Sequence, residues 1–264
     1  MTTTPMDQGT TPTASSELAA IGMGFPRWQE AVEAAIKTDR LAVTGEIRGG
    51  QLIQYTDPSG AQLNILAVEP YATFIGFKAL TTNFGNVTMV NDVLALIDVV
   101  DQFGDPKATV TANLAQGPLL VEEDTQEWQQ LDLAAMGLDV KAYPSVDSYV
   151  EQTGENPDRL DSEGAEIVSS GSGAKAPTPA IDFSGRVVES MRLDNELTGQ
   201  QFIHVVLDGK IPFDLCLPDS FGDLPQKGTV LAGRALLTAA IAAPAGGCGS
   251  GGGCGCGGCG CGGH

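Results

Sequence analysis

The sequence predicts an α+β fold that is predominantly β, arranged as two domains and followed by a tail rich in Gly and Cys. Three observations support this prediction. Short segments of alternating apolar and polar residues recur along the chain, separated by turn residues. One segment near the N-terminus has helical periodicity instead. The hydrophobic content of 42% is typical of globular proteins, and 264 residues are enough for two hydrophobic cores.

The N-terminal half is expected to begin with a disordered arm at residues 1–16, where Thr, Pro and Ser follow no period. An α+β domain is predicted for residues 17–150. Its helix begins at Pro26, a residue that suits a first helical turn, and ends by Asp39. Trp28 lies on the apolar face of this helix and is predicted to face the core. Strands are then predicted at residues 41–47, 51–55, 62–68 and 73–79.

A β-hairpin is predicted from residues 93–100 and 108–114, joined by a Gly/Pro turn at 101–106. Residues 89–100 also fit a helical pattern, but their β-branched residues and the turn that follows favour a strand. The mixed pattern of residues 119–150 gives no assignment of secondary structure. Its candidate core residues are Trp128, Leu131, Leu133 and Val140.

The composition becomes polar and rich in Gly, Ser and Pro at residues 151–179, which predicts a linker between domains. The second domain is predicted at residues 180–243, with strands at 182–188, 201–207, 211–217 and 230–241. Short strands at this spacing predict a small OB-like antiparallel β-barrel, with the loop 218–228 in place of the usual helix. A local similarity between residues 43–65 and 183–204 suggests that both halves share a strand–turn–strand plan.

The charge of the chain excludes some classes of partner. It carries 33 acidic and 14 basic residues, a formal net charge of −19. Nucleic-acid binding depends on clustered Lys and Arg, so this class of function is not expected. No run of eighteen apolar residues is present, and the N-terminus lacks the basic and apolar regions of a secretory signal. We therefore expect a cytoplasmic protein that does not enter membranes.

Catalytic motifs are absent from the sequence. The chain has two histidines, His204 within a predicted strand and His264 at the end, so a nucleophile activated by histidine is not expected. Cys216 lies between two leucines and is interpreted as a small buried hydrophobic residue. No P-loop or dinucleotide-binding fingerprint is found. The sequence predicts no catalytic residues and no organic cofactor site.

The strongest chemical pattern is in residues 244–264, predicted to be a flexible tail. Five of the six cysteines lie there, with Cys-x-Cys and Cys-x-x-Cys spacings and glycine between them. Closely spaced thiolates can wrap a soft ion such as Zn or Cu(I), and glycine allows the tight backbone turns that this needs. In a reducing compartment, such a cluster favours metal binding over disulfides. The predicted metal ligands are Cys248, Cys254, Cys256, Cys259, Cys261 and His264.

These cysteines also carry two resemblances. Over about seventeen residues, the tail resembles the metal-binding segments of metallothioneins, although it lacks their interleaved lysines. It is also similar to the Gly/Cys/Ser-rich core of precursors of thiazole- and oxazole-containing peptides. That similarity implies that the cysteines and Ser250 are cyclised after translation.

Three functions therefore remain open at the level of the sequence, and an enzyme with a carboxylate-based active site stays open as well, because such a site cannot be recognised without a fold. The first is a non-enzymatic acidic protein whose tail binds Zn or Cu(I). The second is a protein–protein interaction or accessory module that docks another protein through its sheet edges and carries an inert tail. The third is a precursor whose tail is modified.

Overall fold

The computed structural model describes residues 16–242, and over this range the protein is predominantly β with small helices, as the sequence predicts. The helices are α1 (Ser16–Ala20), α2 (Trp28–Ile36), α3 (Gly117–Leu120), α4 (Val146–Thr153) and α5 (Glu163–Ser170). The strands are β1 (Leu41–Ile47), β2 (Gly50–Thr56), β3 (Ala61–Leu66), β4 (Ala72–Phe77), β5 (Asn83–Met89), β6 (Leu94–Val100), β7 (Pro106–Leu114), β8 (Gln126–Tyr143), β9 (Leu160–Asp161), β10 (Ala180–Asp194), β11 (Gln201–Asp208), β12 (Phe213–Pro218) and β13 (Val230–Ile241).

The first four strands form an antiparallel sheet in chain order, β1-β2-β3-β4. All four were predicted from the sequence, because each is a short β-rich segment bounded by turn residues. The β2–β3 turn is stabilised by Asp57, whose carboxylate accepts hydrogen bonds from the Ser59 backbone and hydroxyl. The predicted α2 helix is confirmed, and Trp28 packs partly buried against the core.

The remaining strands form a nine-stranded sheet whose pairings close into two circuits. The first circuit is β5-β6-β7-β13-β8, and the second is β10-β11-β12-β8-β13. Both contain the long antiparallel pair of β8 and β13. Each begins with a three-stranded antiparallel meander whose last strand pairs in parallel with a long strand from the other half of the chain, β7 with β13 and β12 with β8. The two halves therefore repeat one pairing scheme.

Strands from both sides of residues 151–179 take part in this sheet. Its main hydrophobic core joins residues of the two halves, such as Ile97 and Leu133 with Phe183 and Val205. The strands β10 to β13 do not close among themselves, since both β12 and β13 pair with β8. The sheet and its core thus cross the boundary that the composition suggests.

Residues 151–179 themselves carry secondary structure. The strand β9 pairs with β10, and Leu160 is buried. Helix α5 begins after Ser162, whose hydroxyl accepts a hydrogen bond from the Ala165 backbone, and it ends at Gly171 in a left-handed conformation. Ser162 and Gly171 cap helix α5, although the polar composition of residues 151–179 predicts a linker.

The helices α1 and α2 cover a second hydrophobic cluster. Leu18, Ile21 and Met23 are fully buried there, beside Phe77 of β4 and Phe202 of β11. The four-stranded sheet is thereby held against the nine-stranded one. The region between the two sheets contains the polar residues His204 and Asp214, which are described below.

Candidate functional site

The predicted metal ligands lie outside the described residues. Cys248, Cys254, Cys256, Cys259, Cys261 and His264 all belong to residues 243–264, which follow the last described residue. Within residues 16–242, no group of three or more His, Cys, Asp or Glu side chains is arranged to hold a metal ion. The one cysteine in that range is Cys216.

Cys216 lies on β12 and is completely buried beneath α1 and β4. Burial raises the pKa of its thiol well above the usual value, and the nearby charge of Asp214 raises this pKa further. A thiol in this state forms little thiolate and is a poor nucleophile or metal ligand. The interpretation of Cys216 as a small core residue agrees with this environment.

His204 and Asp214 form a buried polar pair beside Cys216. They lie on the neighbouring strands β11 and β12, and the Nε2 atom of His204 is 2.5 Å from Oδ2 of Asp214. The side chain of His204 is 2% exposed, and that of Asp214 is 0% exposed. The imidazole ring also packs against the ring of Phe77, with 4.9 Å between centroids. Solvent and substrates therefore have no access to this pair.

Asp214 also accepts hydrogen bonds from the loop between β4 and β5. The backbone N–H groups of Leu80 and Thr81 donate to its two oxygens at 2.8 and 2.9 Å, and the Thr81 hydroxyl donates at 2.6 Å. Burial alone would raise the pKa of Asp214, but these donors and His204 outweigh burial and lower it. The carboxylate thus ties the loop that leaves the four-stranded sheet to the nine-stranded sheet. We call these residues the Asp214 cluster.

A second polar group lies at an irregularity in the β8–β13 pair. Arg234 of β13 is opposite Asp139 of β8, whereas Ala235 is opposite Gly137, so Leu138 is an extra, bulged residue. Gly233 has a φ of +153°, and a Cβ atom placed there would lie 2.0 Å from the Asp139 carbonyl oxygen. Only glycine allows the two backbones to approach this closely. Such bulges are frequent beside functional sites because they change the direction of side chains.

The bulge lies in a surface cleft of about 520 Å³. Strands β8, β10 and β13 and helix α4 line it. Tyr143 and Tyr149 pack edge to face there, with 5.0 Å between ring centroids. The charged residues of the cleft are Asp139, Lys141, Glu155, Arg159, Asp182 and Arg234. We call this group the Arg234 cleft.

Sequence reasoning missed the Arg234 cleft because its residues come from four distant segments. One local signal was present. Gly233 followed by Arg234 interrupts an otherwise apolar strand, and glycine inside a strand indicates a bulge or a close backbone contact.

An exposed aromatic surface lies at the other end of β8. Trp128 is 53% exposed and Phe103, in the β6–β7 turn, is 79% exposed. Gly104 lies between them, since a Cβ atom there would be 3.2 Å from the Trp128 ring. The prediction that Trp128 is a core residue was wrong, whereas Leu131 and Leu133 are fully buried as predicted. Two residues, Glu127 and Trp128, oppose one residue of β5, and this bulge turns the indole outward.

The chain matches no protein-family model, no curated protein and no solved structure. Among the described residues, no helix has the length and apolar character needed to cross a membrane.

Proposed function

We propose that this chain is a non-enzymatic carrier of a soft metal ion, Zn or Cu(I), bound by the residues of its tail. The observation that carries this proposal is the spacing of the tail cysteines, in which one short segment contains Cys-x-Cys pairs and a Cys-x-x-Cys pair. The ligands would be Cys248, Cys254, Cys256, Cys259, Cys261 and His264.

The burial and protonation of Cys216 support the assignment of metal binding to the tail. Because Cys216 is buried and holds its proton, the cysteines left to bind a metal are those of residues 243–264. Ala242 donates a backbone hydrogen bond of 2.9 Å to Gln130 of β8, so the chain is anchored to the sheet up to the point where the tail begins. Metal binding by the tail therefore requires no rearrangement of the folded body. In the reducing cytoplasm, the thiols would be available to a metal.

The proposal is tested by metal content and native mass spectrometry on protein purified anaerobically. The full chain should retain Zn or Cu(I), and a variant truncated after Pro244 should retain none. The variant Cys216→Ala should keep the metal content of the full chain. Equal metal uptake by the truncated variant would overturn the proposal.

The second candidate is an interaction module, and the exposed aromatic surface of Phe103 and Trp128 favours it. Trp128 has a φ of +54°, a conformation that is unusual for a bulky residue. Its backbone N–H donates to the Asn86 side chain, which holds this conformation. Aromatic residues held on a surface are typical anchors of protein interfaces.

The aromatic surface can be tested without disturbing the backbone. Asn tolerates a positive φ, so Trp128→Asn removes the indole while suiting the local conformation. A module of this kind should capture the same partner with or without the tail and lose it in Trp128→Asn. Capture that is unaffected by Trp128→Asn but lost on truncation would reject the body as the docking surface.

Mass spectrometry of the denatured protein also tests whether the chain is a precursor whose tail is modified. Cyclisation of Cys or Ser would lower the denatured mass, and the loss would be localised to residues 244–264. An unmodified denatured mass would reject that function.

The strand pairing also supports a finer description of the fold. We propose that β10, β11, β12, β8 and β13 form an OB-like five-stranded barrel, to which β8 contributes the last strand from the first half of the chain. The circuit β5-β6-β7-β13-β8 would form its counterpart, and β8 and β13 would be common to both. OB-like barrels bind ligands on an open face of the barrel. The clefts beside the shared strands β8 and β13 are therefore candidate binding sites.

A further inference from the structure

Arg234 differs from every other arginine of the chain. Six of the seven arginines form an ion pair with a carboxylate within 4.0 Å. In residues 16–242, Arg234 forms none, although acidic residues outnumber basic ones more than twofold. Its neighbours in the sheet are acidic on both sides, Asp182 on β10 and Asp139 on β8. The pKa of Glu163 is lowered by its ion pair with Lys175 and, to a smaller extent, by the charge of Arg234, which does not pair with it. The guanidinium is thus available in a protein that has a large excess of partners for it.

The other charges of the cleft are also kept apart. Arg159 pairs with Asp161, with 2.7 Å between Nε and Oδ2, and the nearby carboxylates of Asp182 and Glu155 also raise the pKa of Arg159 without forming an ion pair with it. Across the described part of the chain, Lys141, Asp139, Glu155 and Asp182 form no ion pair. The cleft therefore offers two available cationic groups and three available carboxylates. A ligand that is only anionic would be repelled by the three carboxylates, and a ligand that is only cationic would be repelled by Arg234 and Lys141.

The shape of the cleft restricts the ligand further. Its volume of about 520 Å³ lies within the range of about 300–1,000 Å³ that is typical of small-molecule sites. The half-buried Tyr143 provides apolar ring surface, and the buried Tyr149 supports its ring edge to face. Because Gly233 fixes the approach of β8 and β13, the backbone sets the relative positions of the lining residues Asp139 and Arg234.

We propose that the Arg234 cleft binds a short linear peptide with free ends. Its terminal carboxylate pairs with Arg234, assisted by Lys141. Its terminal ammonium lies on the β10 side of Arg234, beside Asp182 and Glu155. An arginine fork matches a carboxylate in bidentate geometry, which explains an arginine rather than a lysine at this position. The side chains of the peptide pack against Tyr143, which is half-buried and rests on the buried ring of Tyr149.

The test measures binding of the dipeptide L-alanyl-L-alanine to the full chain by isothermal titration calorimetry. Two capped dipeptides serve as further probes, one N-acetylated and one with a C-terminal amide. Each cap removes one charge, so each capped form should bind at least tenfold more weakly than the free dipeptide. Arg234→Gln should weaken the free dipeptide by a similar factor but leave the C-terminal amide unchanged, since the charge that Arg234 recognises is then already missing.

A matched control keeps the test specific. Arg27 precedes α2 and, within residues 16–242, pairs with Glu30 alone, and neither residue lines the cleft. Arg27→Gln therefore removes the same charge at a position outside the cleft. It should bind the free dipeptide as the unmodified chain does. The proposal is overturned if the dipeptide does not bind at millimolar concentration, if the capped forms bind equally well, or if Arg27→Gln weakens binding as much as Arg234→Gln. Inorganic phosphate that binds through Arg234 while the dipeptide does not would also reject a peptide ligand.

Discussion

The Asp214 cluster and the Arg234 cleft place opposite charges on neighbouring strands of one sheet, with opposite results. In the cluster, one carboxylate accepts four hydrogen bonds and has no contact with solvent. In the cleft, Arg234 has carboxylates on both neighbouring strands and pairs with neither. A buried charge must be fully satisfied, because leaving it unpaired costs several kcal/mol, whereas an exposed charge is under no such constraint. Complete pairing therefore indicates a structural role, and separated charges in a cleft indicate a capacity to bind.

The largest expected effect comes from Asp214→Asn. The amide nitrogen would face backbone N–H groups of Leu80 and Thr81, and a buried pair would lose one partner. We expect a loss of about 3–5 kcal/mol in the free energy of unfolding, measured by urea denaturation.

Asp208→Asn is the matched control, since Asp208 pairs with Arg186 on the exposed surface. It should change the free energy of unfolding by no more than about 0.5 kcal/mol. Equal effects at the two positions would remove the distinction between the closed cluster and an ordinary surface pair.

The second effect tests the backbone that shapes the cleft. Gly233→Ala would place a Cβ atom 2.0 Å from the Asp139 carbonyl oxygen, at a φ of +153°. We expect a loss of at least about 2 kcal/mol by the same measurement.

Gly154→Ala separates conformation from contact. Gly154 also has a positive φ, but no atom lies within 4 Å of the position that a Cβ atom would take there. Only the conformational cost of about 1 kcal/mol is therefore expected for this variant. If both alanine variants lose the same free energy, the close approach of β8 and β13 is not what requires glycine.

The third effect is the pH dependence of the Asp214 cluster. Because the folded protein lowers the pKa of Asp214, the unfolded chain binds a proton first as the pH falls. The stabilisation is therefore complete above the unfolded pKa of about 3.9, and it is lost as the pH falls through the lowered pKa of the folded state.

Urea denaturation at a series of pH values, from neutral to acid, should show this loss. The difference in the free energy of unfolding between the unmodified chain and Asp214→Asn should become smaller as the pH falls. A difference that is constant across the acid range would mean that the carboxylate is not ionised in the folded protein.

The sequence could predict the features that depend on local patterns and not those that depend on contacts between distant segments. The meander β1 to β4 and the strand β13 were located because short segments rich in strand-forming residues and bounded by turns are a local signal. The strand β8 was missed, since over its 18 residues it has two bulges and pairs with β5, β12 and β13 in turn, so no single alternation runs through it. The pairing of the two halves depends on long-range contacts that no local pattern contains.

The site residues divide in a similar way. The burial of Cys216 followed from its leucine neighbours, and His204 was correctly placed within a strand. Its partner Asp214 was not identified, because a chain with 33 acidic residues gives no reason to select one of them. The Arg234 cleft needed the register of three strands before its charges could be placed together.

The smallest expected effect completes the comparison. Arg234→Gln removes a charge that forms no ion pair within residues 16–242, so the free energy of unfolding should change by no more than about 0.5 kcal/mol. The same variant is expected to lose dipeptide binding, whereas Asp214→Asn should lose stability. A large loss of stability in Arg234→Gln would mean that its guanidinium already supports the fold through Asp139 or Asp182. The cleft would then be a second structural cluster, and its separated charges would not indicate a capacity to bind a ligand.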